Sequence, residues 1–579
     1  MFDYLIKGGY LVDGTGAPGR LADIGIKDGL IAAIGKLAEP ASETFNADGL
    51  VVCPGFIDPH THYDAQLFWD PALQPSSLHG FTTVIAGNCG FTLAPVLPQN
   101  VDYVRHVLAR VEGMSMEALV SGIPWTWSSF GDFLDRVEGR IGINMGFFVG
   151  HTALRAQAMG AEANKRPASE TELAHMSRLL EDSIAAGGLG FSSSQLSTDF
   201  DDEGNPIASR LAAPAELIEL CKAAGKGPAI GVEMIVDGCM RSFSDAEIDL
   251  LVSMSRAARR PLNWNLLNAD ASATQRIARQ LELSERARRV GARIAALSMP
   301  VSAVQAESFL TYCPLHMLPD WSKVFELPVD ERMRQLREPA TRKWLFERAN
   351  DPNAGAVGRY ARFGLYTVGE TMSKENEGFE GRKIEDIARQ SGKTSFDTFV
   401  DIALADDLKT SFWAAPVDDD TTWANRRGLW DNEDVLVGGS DAGAHLDRHC
   451  GATYPTRFLG EMIRGRKLLP IERAIQKLSD APARFFGLKG RGRIAPGYNA
   501  DVVVFDPARI DTGRAALVND IPGGSIRLTA EPVGIIQVMV NGKVAVKDGK
   551  PTPATAGKVL RSGRDTESTA LRESPSRVR

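Results

Sequence analysis

Two histidines separated by one residue, His60 and His62, carry the strongest chemical signal in the sequence. They follow an apolar segment at 50–52, and alternate side chains of a β-strand point to the same face. This spacing therefore directs both imidazoles the same way at the end of a strand. Two neutral imidazoles form half of a transition-metal site, for which zinc is favoured. Such a pair also arises by chance, so it indicates a metal site only together with further ligands.

Further candidate ligands stand in or directly after other apolar segments. Cys89 and Asp441 each follow one, and Glu233 lies inside another. Each also has a structural interpretation: a lone cysteine commonly behaves as a small buried hydrophobe, and an aspartate after a strand can cap a helix. In combination, a histidine pair, a cysteine and an aspartate at strand ends can converge on one metal ion.

Eight apolar segments, alternating with helical patterns, must position these residues. Ser169 with Glu172 and Ser244 with Glu247 form capping boxes that predict two helix starts. Strands buried on both sides and alternating with helices predict an α/β fold with a parallel sheet, and eight units predict a closed (β/α)8, TIM-like barrel. Such barrels carry their chemistry at the C-terminal ends of the strands. The predicted strands are 51–62, 82–86, 144–149, 188–192, 229–234, 261–266, 293–297 and 435–440.

The two ends of the chain have a different texture, that of short strands joined by tight turns. Residues 1–53 and 487–556 together predict one small β-sandwich domain. The barrel that carries the candidate ligands is then expected over 54–486. An aromatic, proline-rich and charged stretch at 300–381 predicts an insertion or lid within it, whose aromatic residues would either cap the site or form a core of their own. Residues 557–579 are polar and predict a disordered tail.

Composition excludes several classes of function. The 579 residues are 44% hydrophobic and 24% charged, with a net charge of −8. We find no clustered basic patch, so neither nucleic acid nor a membrane surface is an expected partner. No signal peptide or long apolar window is found, and the six cysteines are scattered, which together predict a cytoplasmic protein. A small-molecule substrate is the expected partner, and a homo-oligomer is compatible with the sequence.

Six segments resemble segments of one known family. They are Asp3–Gly9, Pro54–Asp64, Thr82–Gly90, Gly150–Arg155, Gly439–Asp441 and Pro496–Asp501. Jointly they resemble the amidohydrolase superfamily, most closely its D-aminoacylase (N-acyl-D-amino-acid deacylase) branch. The resemblance implies a (β/α)8 barrel, a composite β-sandwich and a hydrolytic divalent metal. It implies that His60, His62 and Asp441 are metal ligands, and that Cys89 replaces the carboxylated lysine of many relatives.

The chain departs from this branch where the fifth and sixth strands would each supply a histidine. The fifth strand offers Glu233 as a further oxygen ligand, and the sixth offers Leu266 flanked by asparagines. We therefore expect one Zn²⁺ per chain, with another divalent metal as the alternative. Two residues are candidates for substrate binding: Arg155 as a carboxylate anchor, and His151 either as a donor to the oxyanion or as a brace of its own loop.

The expected reaction is cleavage of a non-peptide, amide-type C–N bond by metal-activated water. Asp441 would accept the proton of the water and return it to the leaving nitrogen, as general base and then general acid. Two alternatives stay open. The same site could hydrolyse esters or lactones, or the chain could be a catalytically silent scaffold. A scaffold has no physical need for His60, His62, Cys89 and Asp441 together, which argues against the second alternative.

Overall fold

A computed structural model of the protein describes residues 1–311, 313–569 and 571. These residues divide into two compact units. The first contains Met1–Val301, Asp420–His445 and the described residues from Gly451 onward. The second contains Ser302–Asp419 and Leu446–Cys450. All the candidate site residues named above belong to the first unit.

Two parallel sheets form the centre of the first unit, and all eight apolar segments contribute strands to them. In spatial order the larger sheet contains Val435–Val437, Ile294–Ser298, Leu262–Trp264, Gly231–Val236, Gly190–Gln195 and Val149–Gly150. The smaller contains Val559–Leu560, Asn144–Phe147, Phe81–Ala86 and Phe56–Asp58. Every neighbouring pair in both sheets is parallel. The fold is therefore α/β.

The strand Gly231–Val236 shows how the sheets divide apolar from polar side chains. All six of its residues are buried. Val232 and Met234 belong to the main apolar core, which also includes helix residues such as Leu251. Because successive side chains alternate between the two faces, Glu233 lies on the opposite face. The polar face of this strand thus points away from the helices and supplies a candidate site residue.

Helices follow most of these strands, and both predicted capping boxes are present. The Ser169 and Ser244 hydroxyls accept the backbone N–H groups of Glu172 and Glu247, whose carboxylates accept the serine N–H groups in return. The α-helices of the first unit are Val101–Val111, Met116–Ser121, Phe130–Val137, His151–Met159, Glu170–Ala185, Pro214–Lys226, Asp237–Met240, Asp245–Ala258, Thr274–Arg289, Asp420–Asp431, Tyr454–Ile463, Ile471–Leu478 and Asp480–Phe485.

Strands from both ends of the chain combine into one nine-stranded sheet. The antiparallel pairing of Val502–Phe505 with Val51–Pro54 joins the two ends. A hairpin turn at Asp28–Gly29 joins two of its strands, with Lys27 opposite Leu30. The spatial order is Lys550–Pro551, Lys543–Lys547, Ile535–Val540, Val502–Phe505, Val51–Pro54, Phe2–Leu11, Arg20–Lys27 and Leu30–Gly35, with Ala41–Asn46 beside Phe2–Leu11. Asp511–Ile521 and Ser525–Val533 form a separate antiparallel pair.

The second unit extends further along the chain than the predicted insertion at 300–381. It continues to Asp419 because Phe399 and Phe412 share an aromatic core with Phe309, Trp321 and Phe325. These aromatic residues therefore form a core of their own. The strands of this unit are Thr367–Val368, Ser411–Trp413, Val304–Ser308 and His449–Cys450, and its α-helices are Ser322–Phe325, Val329–Arg337, Pro339–Ala349, Ile384–Ser391 and Ser395–Ala405.

The predicted disordered tail at 557–579 is wrong over its first part. Val559 and Leu560 form a short strand parallel to Asn144–Phe147 and are buried. Two adjacent apolar residues are enough to add a strand to an existing sheet edge, although the surrounding sequence is polar. Position 570 and positions 572–579 lie outside the described residues. No helix in the described part of the chain is long and apolar enough to cross a membrane, and the six cysteines are free thiols.

Candidate metal centre

His60 and His62 lie just beyond the strand Phe56–Asp58, held by backbone hydrogen bonds on two sides. Between them, Thr61 donates its N–H to the carbonyl of Ile85 over 2.9 Å. His62 donates its N–H to the carbonyl of Ala442 over 2.7 Å. The two rings meet edge to face with their centroids 5.2 Å apart. The extended backbone and the two neighbouring segments thus bring both imidazoles to one place.

Asp58 fastens the histidine segment to the loop that carries Asp441. Its Oδ1 accepts the backbone N–H groups of His60, Gly439 and Ser440 at 3.3, 3.3 and 3.4 Å. Asp441 in turn donates its N–H to the carbonyl of His60 over 3.2 Å. Asp441 has a left-handed backbone with φ of +60°, a conformation that costs about 1–3 kcal/mol for a residue other than glycine. The surrounding hydrogen bonds hold it there.

Cys89 reaches the histidines from the loop after the strand Phe81–Ala86. Its backbone is also left-handed, with φ of +54°, and its N–H donates to Glu233 Oε2 over 2.7 Å. The sulfur lies 3.6 Å from His60 Nε2. Ligand atoms of His60, His62 and Cys89 all lie within 4.8 Å of one another. These three buried side chains are close enough to share one cation.

Asp441 brings a carboxylate to the same point. Its Oδ1 lies 3.1 Å from His62 Nε2 and 3.6 Å from His60 Nε2. Its side chain is 31% exposed, whereas those of His60 and His62 are 1% and 3% exposed. His445 Nε2 lies 3.8 Å from the other carboxylate oxygen. The aspartate therefore stands between the buried imidazoles and the solvent.

Two buried glutamates face the opposite nitrogens of the two imidazoles. Glu233 Oε1 lies 3.9 Å from His60 Nδ1, and 4.0 Å from the Cys89 sulfur. Glu112 Oε1 lies 3.4 Å from His62 Nδ1. Glu112 follows the helix Val101–Val111 directly and was not identified from the sequence. No motif or strand end marks it, so only the three-dimensional arrangement reveals it.

The sixth strand supplies amide groups rather than imidazoles. Asn265 Nδ2 lies 3.3 Å from His60 Nε2 and 4.0 Å from the Cys89 sulfur. Asn263 pairs in register with Glu233 and is fully buried. Neither polar atom of its side chain has a hydrogen-bond partner among the described residues.

Burial and neighbouring charges together set the protonation of this cluster. Burial lowers the pKa of His60. For His62, the carboxylates of Glu112 and Asp441 outweigh burial and raise the pKa to about 10. Burial raises the pKa of Glu112 and of Glu233 to about 8. Burial alone would also raise the pKa of Asp441, but hydrogen bonds from His60 and His62 hold it well below its usual range.

Comparison with known proteins identifies the family of this chain. Residues 43–546 match the amidohydrolase family. The chain belongs to the amidohydrolase family. D-aminoacylase of Alcaligenes xylosoxydans xylosoxydans is 28% identical over 581 residues, covering 96% of this chain and 97% of that protein.

Two solved structures are similar in fold to this amidohydrolase. One is of D-aminoacylase, described as having a binuclear metal centre with one-metal activation and second-metal attenuation. It has a TM-score of 0.64 and 25% identity, and covers 97% of this chain and 100% of its own. The other is N-acyl-D-glutamate deacylase of Bordetella bronchiseptica with zinc and a phosphonate mimic of the tetrahedral intermediate. It has a TM-score of 0.62 and 26% identity, and covers 97% of this chain and 99% of its own. This amidohydrolase is accordingly a metal-dependent hydrolase of C–N bonds other than peptide bonds.

The residues of the cluster fit a bound divalent ion. Two imidazole nitrogens, a thiol and a carboxylate converge, and each of these groups is a zinc ligand in proteins. In addition, both Nδ1 atoms are buried and have no hydrogen-bond partner among the described residues. The Nε2 atoms of both imidazoles face the Asp441 carboxylate instead, which leaves the Nε2 side of each ring for the ion.

The substrate-binding roles expected of His151 and Arg155 stay predictions, and the structure gives both side chains internal partners. His151 is fully buried, with Nδ1 2.8 Å from the Ser193 hydroxyl and Nε2 2.9 Å from Glu216 Oε1. Arg155 is also fully buried and pairs with Glu216. Its remaining guanidinium hydrogen bonds go to the carbonyls of Ala163 and Arg166. Both side chains are committed to internal partners. His151 is the first residue of the helix His151–Met159 and connects it to the strand Gly190–Gln195 and the helix Pro214–Lys226.

Proposed function

We propose that this amidohydrolase uses one zinc ion per chain to remove the acyl group from N-acyl-D-amino acids. The observation that carries the proposal is the convergence of His60, His62, Cys89 and Asp441 on one point. The relatives supply the substrate class, because the similar proteins include D-aminoacylase and N-acyl-D-glutamate deacylase.

The proposal includes a closed (β/α)8 barrel and a β-sandwich domain built from residues 1–53 and 487–556. Two features support closure of the barrel. Asn144–Phe147 and Val149–Gly150 are separated by a single residue, which links the two parallel sheets on one side. On the other side, Thr61 forms a parallel bridge with Ala442. In such a barrel all the candidate ligands stand towards the C-terminal ends of strands, where barrel enzymes carry their chemistry.

Four side chains would hold the ion: the Nε2 atoms of His60 and His62, the Cys89 thiolate and the Asp441 carboxylate. The ion, when bound, polarises the scissile carbonyl and makes water a stronger nucleophile at neutral pH. We propose one ion rather than two because the fifth and sixth strands carry Glu233 and asparagines where the resemblance predicts histidines. An amide is a poor ligand for zinc compared with an imidazole.

Asp441 performs the proton transfers in this proposal. An aspartate side chain is ionised at neutral pH and is therefore able to accept a proton from water. It takes the proton from the attacking water as the new C–O bond forms, and donates it to the nitrogen as the C–N bond breaks. Its partial exposure, 31% of the side chain, leaves room for a substrate on the solvent side.

Metal analysis of the purified protein tests the proposed centre. We expect one equivalent of zinc per chain in the wild type and a clear loss of zinc in Cys89→Ala. Cys221→Ala is the matched control, because Cys221 is also a buried cysteine but belongs to the helix Pro214–Lys226 and not to the cluster. Two equivalents in the wild type would contradict the single-ion site. Unchanged zinc in Cys89→Ala would remove Cys89 from the ligand set.

A panel of acyl compounds tests the reaction on the same preparations. We expect hydrolysis of N-acyl-D-amino acids in preference to their L-enantiomers and to the matching O-acyl esters, and loss of this activity on chelation. An exclusive preference for esters or lactones would replace the amide assignment. Zinc binding without hydrolysis of any compound in the panel would favour the scaffold alternative.

A further inference from the structure

The imidazoles of His60 and His62 each lie between two carboxylates, one facing Nε2 and one facing Nδ1. Their Nε2 atoms face Asp441 Oδ1, at 3.6 and 3.1 Å. Their Nδ1 atoms each face a different buried glutamate: Glu233 lies 3.9 Å from His60, and Glu112 lies 3.4 Å from His62. Each imidazole therefore lies between the proposed metal position on one side and a carboxylate on the other.

We propose that Glu112 and Glu233 are positioning residues, each orienting one metal-binding histidine through its Nδ1 atom. The inference rests on the proposed function, because it assumes that the two Nε2 atoms bind an ion. An imidazole that binds a metal through Nε2 keeps its proton on Nδ1, and that N–H requires an acceptor. Neither Nδ1 atom has a hydrogen-bond partner among the described residues, and the glutamate oxygens need only a small side-chain movement to provide one.

Glu233 orients a second ligand as well. Its Oε2 accepts the backbone N–H of Cys89 over 2.7 Å, while its Oε1 faces His60 Nδ1. The hydrogen bond from the Cys89 N–H fixes the left-handed backbone of this residue. From that backbone the thiol points at His60 Nε2. Since the imidazole nitrogen nearest to Glu233 is Nδ1, an ion on Nε2 lies across the ring from this carboxylate. This arrangement favours a supporting role over the oxygen-ligand role expected from the sequence.

Glu112 connects the other histidine to the loop of Asp441. Its side chain faces His62 Nδ1, and its backbone carbonyl accepts the N–H of His445. His445 lies four residues beyond Asp441 and approaches that carboxylate with its ring. One residue after the helix Val101–Val111 thus contacts both a proposed ligand and the segment that carries another.

Metal affinity, measured by competition with a chromophoric chelator, tests the inference without using activity. We expect Glu112→Gln and Glu233→Gln each to weaken zinc binding about 10- to 100-fold while one equivalent still binds at saturation. The control is Glu216→Gln, which neutralises another buried glutamate paired with a histidine, His151, outside the cluster. It should leave zinc affinity unchanged. Each variant is compared by its melting temperature without metal, so that a loss of folding is not read as a loss of affinity.

Cobalt substitution adds a spectroscopic readout of ligand identity. We expect cobalt in both variants to retain the thiolate charge-transfer band of Cys89 and to show shifted d–d bands, as altered orientation of the same ligands requires. Unchanged affinity and spectra in a variant would overturn the inference for that glutamate. Loss of stoichiometric binding in Glu233→Gln would make Glu233 a ligand and also overturn it. If the wild type binds no metal, the proposed function itself fails. That result is distinct from both outcomes for the glutamate variants.

Discussion

The first unit contains two buried clusters of histidine and carboxylate that are built from the same kinds of residue but differ in how their hydrogen bonds are satisfied. Around His151, both ring nitrogens have partners within 2.9 Å, and Arg155 pairs with the carboxylate of Glu216. Around His60 and His62, both Nδ1 atoms lack a hydrogen-bond partner among the described residues. In the first cluster both ring nitrogens are used internally, whereas in the second the Nε2 atoms converge with the Cys89 sulfur and the Asp441 carboxylate on one point.

From this difference we infer a structural role for the cluster around His151 and a functional role for the cluster around His60 and His62. Buried polar groups in native proteins usually have hydrogen-bond partners, so a cluster in which several lack one calls for a functional explanation. The Asp441 carboxylate is partly open to solvent, whereas Glu216 is 4% exposed. The satisfied cluster should therefore matter for stability and the unsatisfied one for metal binding and catalysis.

The largest expected effect is that of Asp441→Asn on catalysis. The amide cannot accept the proton of water, so we expect kcat for the best N-acyl substrate to fall by about 10²–10⁴-fold, the usual contribution of general acid–base catalysis. Steady-state kinetics with zinc content measured on the same sample will check this. Glu216→Gln is the matched carboxylate control and should keep near-wild-type kcat in the folded fraction. A drop of similar size in the control would erase the distinction between the clusters.

Part of this comparison could be predicted from the sequence. The eight strands are visible because each is a short apolar run bounded by polar residues. His60, His62, Cys89 and Asp441 stand at or just beyond strand ends, so local position alone suggests where they lie. Whether a polar side chain already has an internal partner is a long-range property that local patterns do not contain.

Arg155 and Glu112 illustrate this limit of local patterns in two ways, one as a candidate with an internal partner and one as a site residue without a sequence signal. Arg155 looked available as an anion anchor, but its partner Glu216 lies 61 residues further along the chain. Glu112 had no recognisable motif, yet it reaches a histidine 50 residues earlier in the chain, from the end of a helix. In both cases the decisive contact joins elements that only the tertiary fold brings together.

The second expected effect concerns stability and belongs to the satisfied cluster. Glu216→Ala leaves Arg155 buried without its counter-charge, and breaking a buried ion pair in this way costs about 3–5 kcal/mol of unfolding free energy. Urea denaturation of the zinc-loaded protein will measure it. We expect zinc stoichiometry to stay at the wild-type value, because Glu216 contacts His151 and Arg155 rather than the proposed ligands.

The pH dependence of the stability difference between wild type and Glu216→Ala is a control for the preceding prediction. Burial alone would raise the pKa of Glu216, but His151 and Arg155 hold it at about 2, below its ordinary value of 4.5. A carboxyl whose pKa is lowered by folding stabilises the native state fully above its unfolded pKa. The stability gap between wild type and Glu216→Ala should therefore be constant above about pH 4.5 and shrink as the pH falls towards 2. A gap that widens on acidification would contradict the assignment.

The smallest expected effect is that of Ser193→Ala, which removes only the partner of His151 Nδ1. The hydroxyl lies 2.8 Å from that nitrogen, and both groups are fully buried. The substitution leaves a buried ring nitrogen without its partner, which costs about 1–3 kcal/mol of unfolding free energy. Denaturation midpoints, with zinc affinity measured in parallel, will test this. A change in zinc affinity without a change in stability would mean that the two clusters are coupled, and that the satisfied one also serves the metal.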